Sequence, residues 1–247
     1  MGRLGVLGCQ ALSLTALLLL WELAVRTGVA DPLFVPTPAA VASVLGPTAR
    51  EALPRLGDTL LKALAGYALA VGLGVASGLW LGSRRFAHAV AMPYVVAAYG
   101  VPKVLVLPWI VLICGLGATT AVLTGTLFAV FPIVLMVAAG TRDVDPTLVT
   151  AAVAMGATRG QVARKVLLPA VLPSVVASMR VGIVFAMLGV LLAEMFAGTR
   201  GMGFLMQRMA MAFRAPDLFA ATAIVSVLSI VVVLSLEHWS RRLSRWR

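Results

Sequence analysis

Residues 150–169 read TAAVAMGATRGQVARKVLLP and combine alanines, a glycine, three cations and a proline. The cations are Arg159, Arg164 and Lys165, and they lie in a chain that is 61% hydrophobic and only 12% charged. A soluble domain would carry about twice that share of charged residues. The apolar segments on either side therefore decide in which environment this stretch folds.

Those flanking segments are long, uninterrupted apolar runs, which indicate membrane spans. Lipid cannot satisfy exposed backbone groups, so the spans have to be helices or a closed barrel. A barrel would show short segments of alternating polarity, and these runs do not alternate. The sequence predicts an all-α membrane protein.

The runs predict about six transmembrane helices. They lie at about Leu4–Val25, Leu60–Leu81, Met92–Leu116, Ala118–Ala139, Leu172–Ala197 and Leu218–Leu236. A cleavable signal peptide is the alternative for the first run, but that run is longer than a normal apolar signal region and Arg3 is its only preceding cation. The third run is interrupted by three prolines, Pro93, Pro102 and Pro108.

The chain divides along these spans into four parts. Residues 1–30 form an N-terminal transmembrane helix, and 31–59 form a periplasmic or interfacial segment. Within that segment Thr37 caps a short amphipathic helix that begins at Pro38. Residues 60–240 form a core of five transmembrane helices that includes a loop at 143–169, and 241–247 form a basic cytoplasmic tail.

The net charge of +11 orients the chain in the membrane. With the N-terminus inside, the inner segments hold twelve of the 20 Lys and Arg residues and the outer segments hold seven, while Lys103 lies within a span. This bias follows the positive-inside rule and predicts that both termini and the 143–169 loop are cytoplasmic. No basic face is interleaved with aromatic residues, so the charge does not indicate nucleic-acid binding.

Within the loop, the first predicted helix is short and rich in alanine. Asp145 is a good N-cap, and Pro146 occupies the first helical position, where its missing N–H costs nothing. Gly156 can adopt the left-handed conformation that ends the helix. Ala151 and Ala152 leave its surface thin and smooth.

A second predicted helix follows directly. Thr158 and Gln161 have the spacing of a capping box, and Pro169 and Pro173 disturb the helix where the fifth span begins. The whole segment is thus a helix–turn–helix on the membrane surface. It is either an interfacial loop with cations on the inner side or a thin helix that inserts into a groove on another protein.

The spacing of this segment resembles the EAA loop of ATP-binding-cassette (ABC) importer permeases. That motif reads E-A-A, three residues, G, nine residues, I, one residue, L-P. The matching positions here are Ala151, Ala152, Gly156, Val166, Leu168 and Pro169. Thr150 replaces the leading Glu, which removes the basis for expecting a salt bridge from that position.

Other stretches, from VPTPAAV near residue 35 to VLLAEMFAGTRGMGFLM before residue 207, resemble permeases for sulfonate, nitrate, taurine and thiamine-pyrimidine precursors. The resemblance spans about 35–240 and implies a type I, MetI-like architecture in the inner membrane of a bacterium. It also implies a homodimer, two ABC ATPase subunits that bind ATP and Mg, and a periplasmic or lipid-anchored substrate-binding protein. The implied ATPase-docking residues are Thr150, Ala151, Ala152, Gly156, Ala157, Thr158 and Arg159.

Two charged residues within the spans are candidates for the transport pathway or a gate. Glu194 is either such a residue or a structural acid that pairs with Arg200 or a backbone donor. Lys103 lies beside a proline break and either contacts an anionic substrate or extends to the cytoplasmic interface. The glycine steps at Gly74, Gly78 and Gly82 predict close helix packing, within the chain or between two copies.

Several function classes are disfavoured. No P-loop motif is present, and the two histidines and two cysteines form no catalytic or metal-binding pattern. The sequence therefore predicts no enzyme, no metal and no cofactor of its own. An ion-coupled transporter is a weaker alternative because the spans hold few ionisable residues. A small organic anion is the expected solute, with a pyrimidine precursor as the alternative.

Overall fold

The computed structural model describes the backbone of residues 3–243, and the side chains of 5, 6, 8–158 and 160–237. All regular elements in the described range are helical. They are α1 Arg3–Arg26, α2 Pro38–Ser83, α3 Arg85–Gly100, a 3₁₀ turn Lys103–Val106, α4 Leu107–Cys114, α5 Ala118–Arg142, α6 Pro146–Ala154, α7 Arg159–Val162, a π-turn Ala163–Leu167, α8 Leu168–Ala197, α9 Met202–Met211 and α10 Ala215–Leu243. The predicted basic tail at 241–247 lies outside the described side chains.

Five of the described helices are long and apolar enough to cross a membrane, and a bent pair makes a sixth if it counts as one span. The pair joins α3 to the segment Lys103–Cys114 at an angle of 87°. The bend has a local cause: Val101 precedes Pro102 and is extended, with φ −65° and ψ 131°, as steric contact with a following proline ring favours. The prediction of about six helices is confirmed on this count.

Helix α2 differs from the prediction. A separate amphipathic helix before a span at Leu60–Leu81 was expected, but one helix of 46 residues covers both. Thr37 does cap it, because its hydroxyl accepts a hydrogen bond from Ala40 N at 3.1 Å. Pro47 and Pro54 lie inside the helix and each removes one backbone hydrogen bond. Burial of Thr48 and Ala52, which are 1% and 0% exposed, holds this part of the helix in place despite that loss.

The centre of the bundle is α5, which packs between α2 and α8. The glycines of α2 allow the close approach. A Cβ at Gly74 would lie 2.7 Å from Ile133 Cγ2, and one at Gly78 would lie 2.7 Å from Val137 Cβ. A Cβ at Gly82 would overlap Thr141. The small-residue steps therefore serve packing within the chain, which was one of the two alternatives open from the sequence.

Helix α8 connects two ends of the molecule. It has 30 residues and is therefore about 45 Å long. The loop that contains α6 and α7 precedes it, and the turn that leads into α9 follows it. The predicted docking loop and the region of Glu194 thus lie at opposite ends of one helix, while Lys103 lies elsewhere, between α3 and α4.

Candidate functional site

The first helix of the 143–169 loop begins as the sequence predicts. Asp145 Oδ1 accepts a hydrogen bond from Thr147 N at 2.8 Å, and Pro146 is the first helical residue. This backbone hydrogen bond is the main reason why the pKa of the exposed Asp145 carboxyl lies below its usual value. The cap thus fixes the start of α6 through groups two residues apart in the sequence.

A left-handed glycine ends α6 and turns the chain. Gly156 has a φ of +80°, and Ala157 N donates to Ala152 O at 3.0 Å across the turn. The second helix then begins with the predicted capping box: Thr158 N donates to Gln161 Oε1 at 2.8 Å, and Gln161 N donates to Thr158 Oγ1 at 3.4 Å. Because hydrogen bonds hold both ends of the turn, the two short helices form a defined pair.

The second helix enters α8 through one π-turn. Leu168 N donates to Ala163 O, five residues back, where an α-helix would use the fourth. Pro169 explains the position of this turn, because its ring would clash with the carbonyl of Lys165 in a regular α-helix. The disturbance of the helix that Pro169 was expected to cause is this π-turn. The helix is not interrupted there, so the loop is connected to α8 by continuous helix.

Helix α6 has one packed side and one exposed side. Ala152 is 6% exposed and Val149 is half-buried, so these two residues face the rest of the loop. The opposite side presents only small side chains, all of them exposed: Thr147, Thr150, Ala151 and Ala154. We call these four residues the α6 stripe. The Thr150 hydroxyl donates to Pro146 O at 3.0 Å, so it is satisfied within the helix.

The other predicted docking residues border this stripe or support it. Gly156 and Thr158 are exposed in the turn, and Ala157 is half-buried behind it. The side chain of Arg159 lies outside the described part of the chain. Arg164 and Lys165 are exposed on the second helix, close to the start of α8. Ala152 differs from the rest, because its burial leaves it no surface for a partner.

Glu194, near the other end of α8, is fully buried, with 0% exposure. Its carboxylate accepts hydrogen bonds from Thr59 Oγ1 at 2.7 Å, Lys62 Nζ at 2.7 Å and Gly203 N at 3.0 Å. Lys62 also donates to Arg200 O at 3.0 Å. We call Thr59, Lys62 and Glu194 the Glu194 cluster. It joins α2, α8 and the start of α9.

The turn between α8 and α9 is shaped around this carboxylate. Gly201 has a φ of +113°, and a Cβ there would overlap the Glu194 carboxylate. Met202 N donates to Thr59 Oγ1 at 2.7 Å, so the Thr59 hydroxyl accepts from α9 and donates to α8. The first two residues of α9 are therefore bound through the cluster.

Lys103 lies at the break between α3 and α4. Its Nζ donates to Tyr99 O at 2.9 Å and lies 4.5 Å from the centre of the Tyr99 ring and 5.5 Å from that of Phe131. The structure therefore places the two candidate pathway residues in different environments: Glu194 is paired with the ammonium group of Lys62, and Lys103 lies beside aromatic rings.

Of the two partners expected for Glu194, a backbone donor is present as Gly203 N, but the paired cation is not Arg200, and the aromatic neighbours of Lys103 were not expected. The cation that pairs with Glu194 is Lys62, 132 positions upstream, and no local pattern connects positions so far apart. A weak signal was present, because Lys62 is the first cation of the second apolar run. Among residues 3–243, no group of three His, Cys, Asp or Glu side chains is arranged to hold a metal ion.

Comparison with known proteins agrees with this geometry. Residues 68–246 match the family described as binding-protein-dependent transport system inner membrane component. That range contains the α6 stripe, the π-turn, Lys103 and Glu194. It begins at position 68, inside α2, so it includes the last part of α2 and all of α5 and α8, while Thr59 and Lys62 lie before it.

Several known proteins are similar in sequence over nearly the full chain. The taurine transport system permease protein TauC of Escherichia coli is 28% identical over 242 residues, 95% of this chain and 88% of that protein. The riboflavin permease RibX of Chloroflexus aurantiacus is 29% identical over 95% and 88% of the two chains. The formylaminopyrimidine permease ThiX of Halalkalibacterium halodurans is 25% identical over 94% and 92%.

A solved structure supports the fold assignment. An inward-facing form of the MetNI methionine ABC transporter superposes with a TM-score of 0.70 at 21% identity, over 78% of this chain and 96% of that chain. At this identity the likeness concerns the fold, and it confirms the predicted MetI-like architecture. The chain belongs to the family of binding-protein-dependent transport system inner membrane components, and it is the membrane-spanning permease of an ABC importer for a small solute.

Proposed function

We propose that the α6 stripe docks in a groove of an ABC ATPase subunit and that this contact drives transport. The observation that carries the proposal is the exposed row of four small side chains on a helix that is capped at both ends. A rigid, narrow helix of this kind suits a groove on a partner. Its continuous connection to α8 allows movement of the docked helix to reach the membrane core.

The remaining parts of the importer follow from this arrangement. Two copies of the permease pair with two ATPase subunits that bind ATP and Mg, and a substrate-binding protein delivers the solute at the other face. Both termini and the 143–169 loop are cytoplasmic in this scheme, as the distribution of cations favours. The chain contributes a coupling free energy between the nucleotide state and the side on which the cavity opens.

The docking proposal is tested with a charge placed on the stripe. Ala154→Glu puts a carboxylate on a surface that has to be desolvated in a groove, so we expect the ATPase subunit to be lost in a pull-down from detergent-solubilised native membranes. Ser83→Glu is the matched control, because it adds the same charge at an exposed inner turn. An ATPase retained equally by both variants would contradict the proposal.

Two residues of the motif are less suitable for this test. Ala152 is buried within the loop, and Gly156 has a positive φ, so a substitution at either position would damage the loop itself. A loss of binding in those variants would not distinguish docking from folding. Ala154 changes the exposed surface only.

We further propose that the solute is a small organic anion of the sulfonate or taurine type. Lys103 supports this, because it is a half-buried cation beside a broken helix, where transporters place substrate contacts. Helix α3 has 16 residues and begins with Arg85 at the inner turn. Lys103 follows its end and therefore lies about 25 Å from Arg85 along the axis of this helix. That distance favours a pathway role over contact with the cytoplasmic interface.

A pyrimidine precursor is the second candidate. The rings of Tyr99 and Phe131 beside Lys103 offer faces on which a heteroaromatic ring can stack. This observation makes a ThiX-like solute the specific alternative to a sulfonate. Competition between the two solutes in an uptake assay separates them.

A further inference from the structure

The Glu194 cluster contains a buried ion pair between Lys62 and Glu194. It lies far from the docking loop, and the proposed function does not use it. The side chain of Glu194 is 0% exposed and that of Lys62 is 14% exposed. Burying such a pair is seldom more stabilising than apolar residues of the same size. A gain in stability therefore does not explain why this ion pair is buried. The backbone groups that it binds offer another explanation.

The hydrogen bonds of the cluster converge on the start of α9. Gly203 N and Met202 N are bound by Glu194 and Thr59, and the carbonyl of Arg200 is bound by Lys62. Three backbone groups, one just before α9 and two at its start, are thus hydrogen-bonded to side chains of α2 and α8. Apolar packing of Met202, Leu205 and Met209 also holds α9 in place, and the hydrogen bonds add directional contacts at its first turn.

We infer that Lys62, Thr59 and Glu194 are positioning residues that fasten α9 to the end of α8, so that α9 follows the movement that the docked loop imparts to α8. This inference rests on the proposed function, since it assumes that nucleotide-driven movement enters through α6. The cluster lies at the far end of the same helix, about 40 Å from the π-turn. The cluster is therefore the place where movement of α8 would be transmitted to α9.

The test uses the permease in complex with its co-purifying ATPase, with ATP and vanadate as the probe. A nitroxide is attached at Met211→Cys, which is 75% exposed at the end of α9, in a Cys9→Ser, Cys114→Ser background. We expect ATP–vanadate to change the mobility of this label in the complex with an intact cluster. A label at Val29→Cys, 83% exposed before α2, is the reference.

The decisive variant is Lys62→Met with Glu194→Gln, which removes both charges and keeps an acceptor for Gly203 N. We expect its thermal unfolding midpoint to fall only modestly, because the double change leaves no buried charge without its partner, and the remaining cost is that of neutral hydrogen bonds. The ATP–vanadate effect at Met211 should be lost in this variant, while the signal of the label at Val29 stays as in the parent.

Thr59→Val is the second variant, in case the double variant does not fold. Valine has nearly the same shape but cannot bridge Met202 N and Glu194, so it should also reduce the effect at Met211. A response equal to that of the parent, in either variant that folds, overturns the inference. A parent complex that hydrolyses ATP without any change at Met211 overturns it as well.

Failure of the inference and failure of the proposed function give different results. If no ATPase co-purifies with the parent chain, the docking proposal fails and the premise of the inference fails with it. If the ATPase binds and responds to the Ala154→Glu substitution, but the label at Met211 ignores the cluster, only the inference fails.

Discussion

At the scale of single residues, capping groups decide the conformation of the loop and distant pairings decide the position of Glu194. Asp145, Gly156 and the Thr158–Gln161 box act on backbone atoms within three residues, so the sequence was sufficient to predict them. The Lys62–Glu194 pair depends on how α2 packs against α8. That packing arises only in the folded bundle, so it could not be predicted from local patterns in a single sequence.

The cap at Asp145 leads to a prediction about acidification. Its folded-state pKa is lowered by the hydrogen bond from Thr147 N, so its stabilisation of α6 is present above the unfolded pKa of about 3.9 and is lost as the pH falls through the lower folded value. We expect a nitroxide at Val153→Cys to become more mobile below about pH 4. Asp145→Asn should remove this response, because asparagine caps helices well and does not titrate. A response that persists in Asp145→Asn would show that another group is responsible.

At the scale of helices, contact between the backbones of α2 and α5 decides which glycines are required. Gly74→Ala would bring a methyl group to 2.7 Å from Ile133 Cγ2 and 3.2 Å from Val130 O. Overpacking of this kind costs about 1–3 kcal/mol, so we expect a lower unfolding midpoint in detergent. Gly72→Ala is the control: it lies two residues away with nothing within 4 Å, and alanine is the better helix former there.

The glycines at positions 74, 78 and 82 show what could be predicted from the sequence. Small residues at regular spacing indicated close packing, and the length of the apolar runs indicated the helices. The spacing did not tell whether the partner was α5 or a second copy of the chain, because both would require the same small residues. The single helix α2 was also missed, since proline lowers local helix propensity and only the burial of Thr48 and Ala52 offsets that loss.

At the scale of the whole molecule, transport itself is the test of the proposed solute. We expect cells that express the complete importer to take up radiolabelled taurine, with competition by other sulfonates but not by formylaminopyrimidine. Lys103→Gln should reduce this uptake by about tenfold, which corresponds to the loss of about 1.4 kcal/mol of binding. Arg84→Gln, which removes a charge at the inner turn, should not.

A different uptake pattern would identify the pyrimidine precursor as the solute. Uptake of formylaminopyrimidine in place of taurine, with little effect of Lys103→Gln, would favour the aromatic rings over the cation as the substrate contact. Uptake of taurine that is insensitive to Lys103→Gln would leave the solute class intact and remove Lys103 from the pathway.

The close contact of α2, α5 and α8 also limits how this subunit can move. Gly74 and Gly78 of α2 lie against Ile133 and Val137 of α5. If α2 slid along α5, larger residues of α2 would replace these glycines at the contact and would clash with the two side chains. The three helices therefore behave as one stiff block. A stiff block does not open a cavity by deforming, so in the proposed pair of permeases a cavity would open and close at the outer boundary of this block.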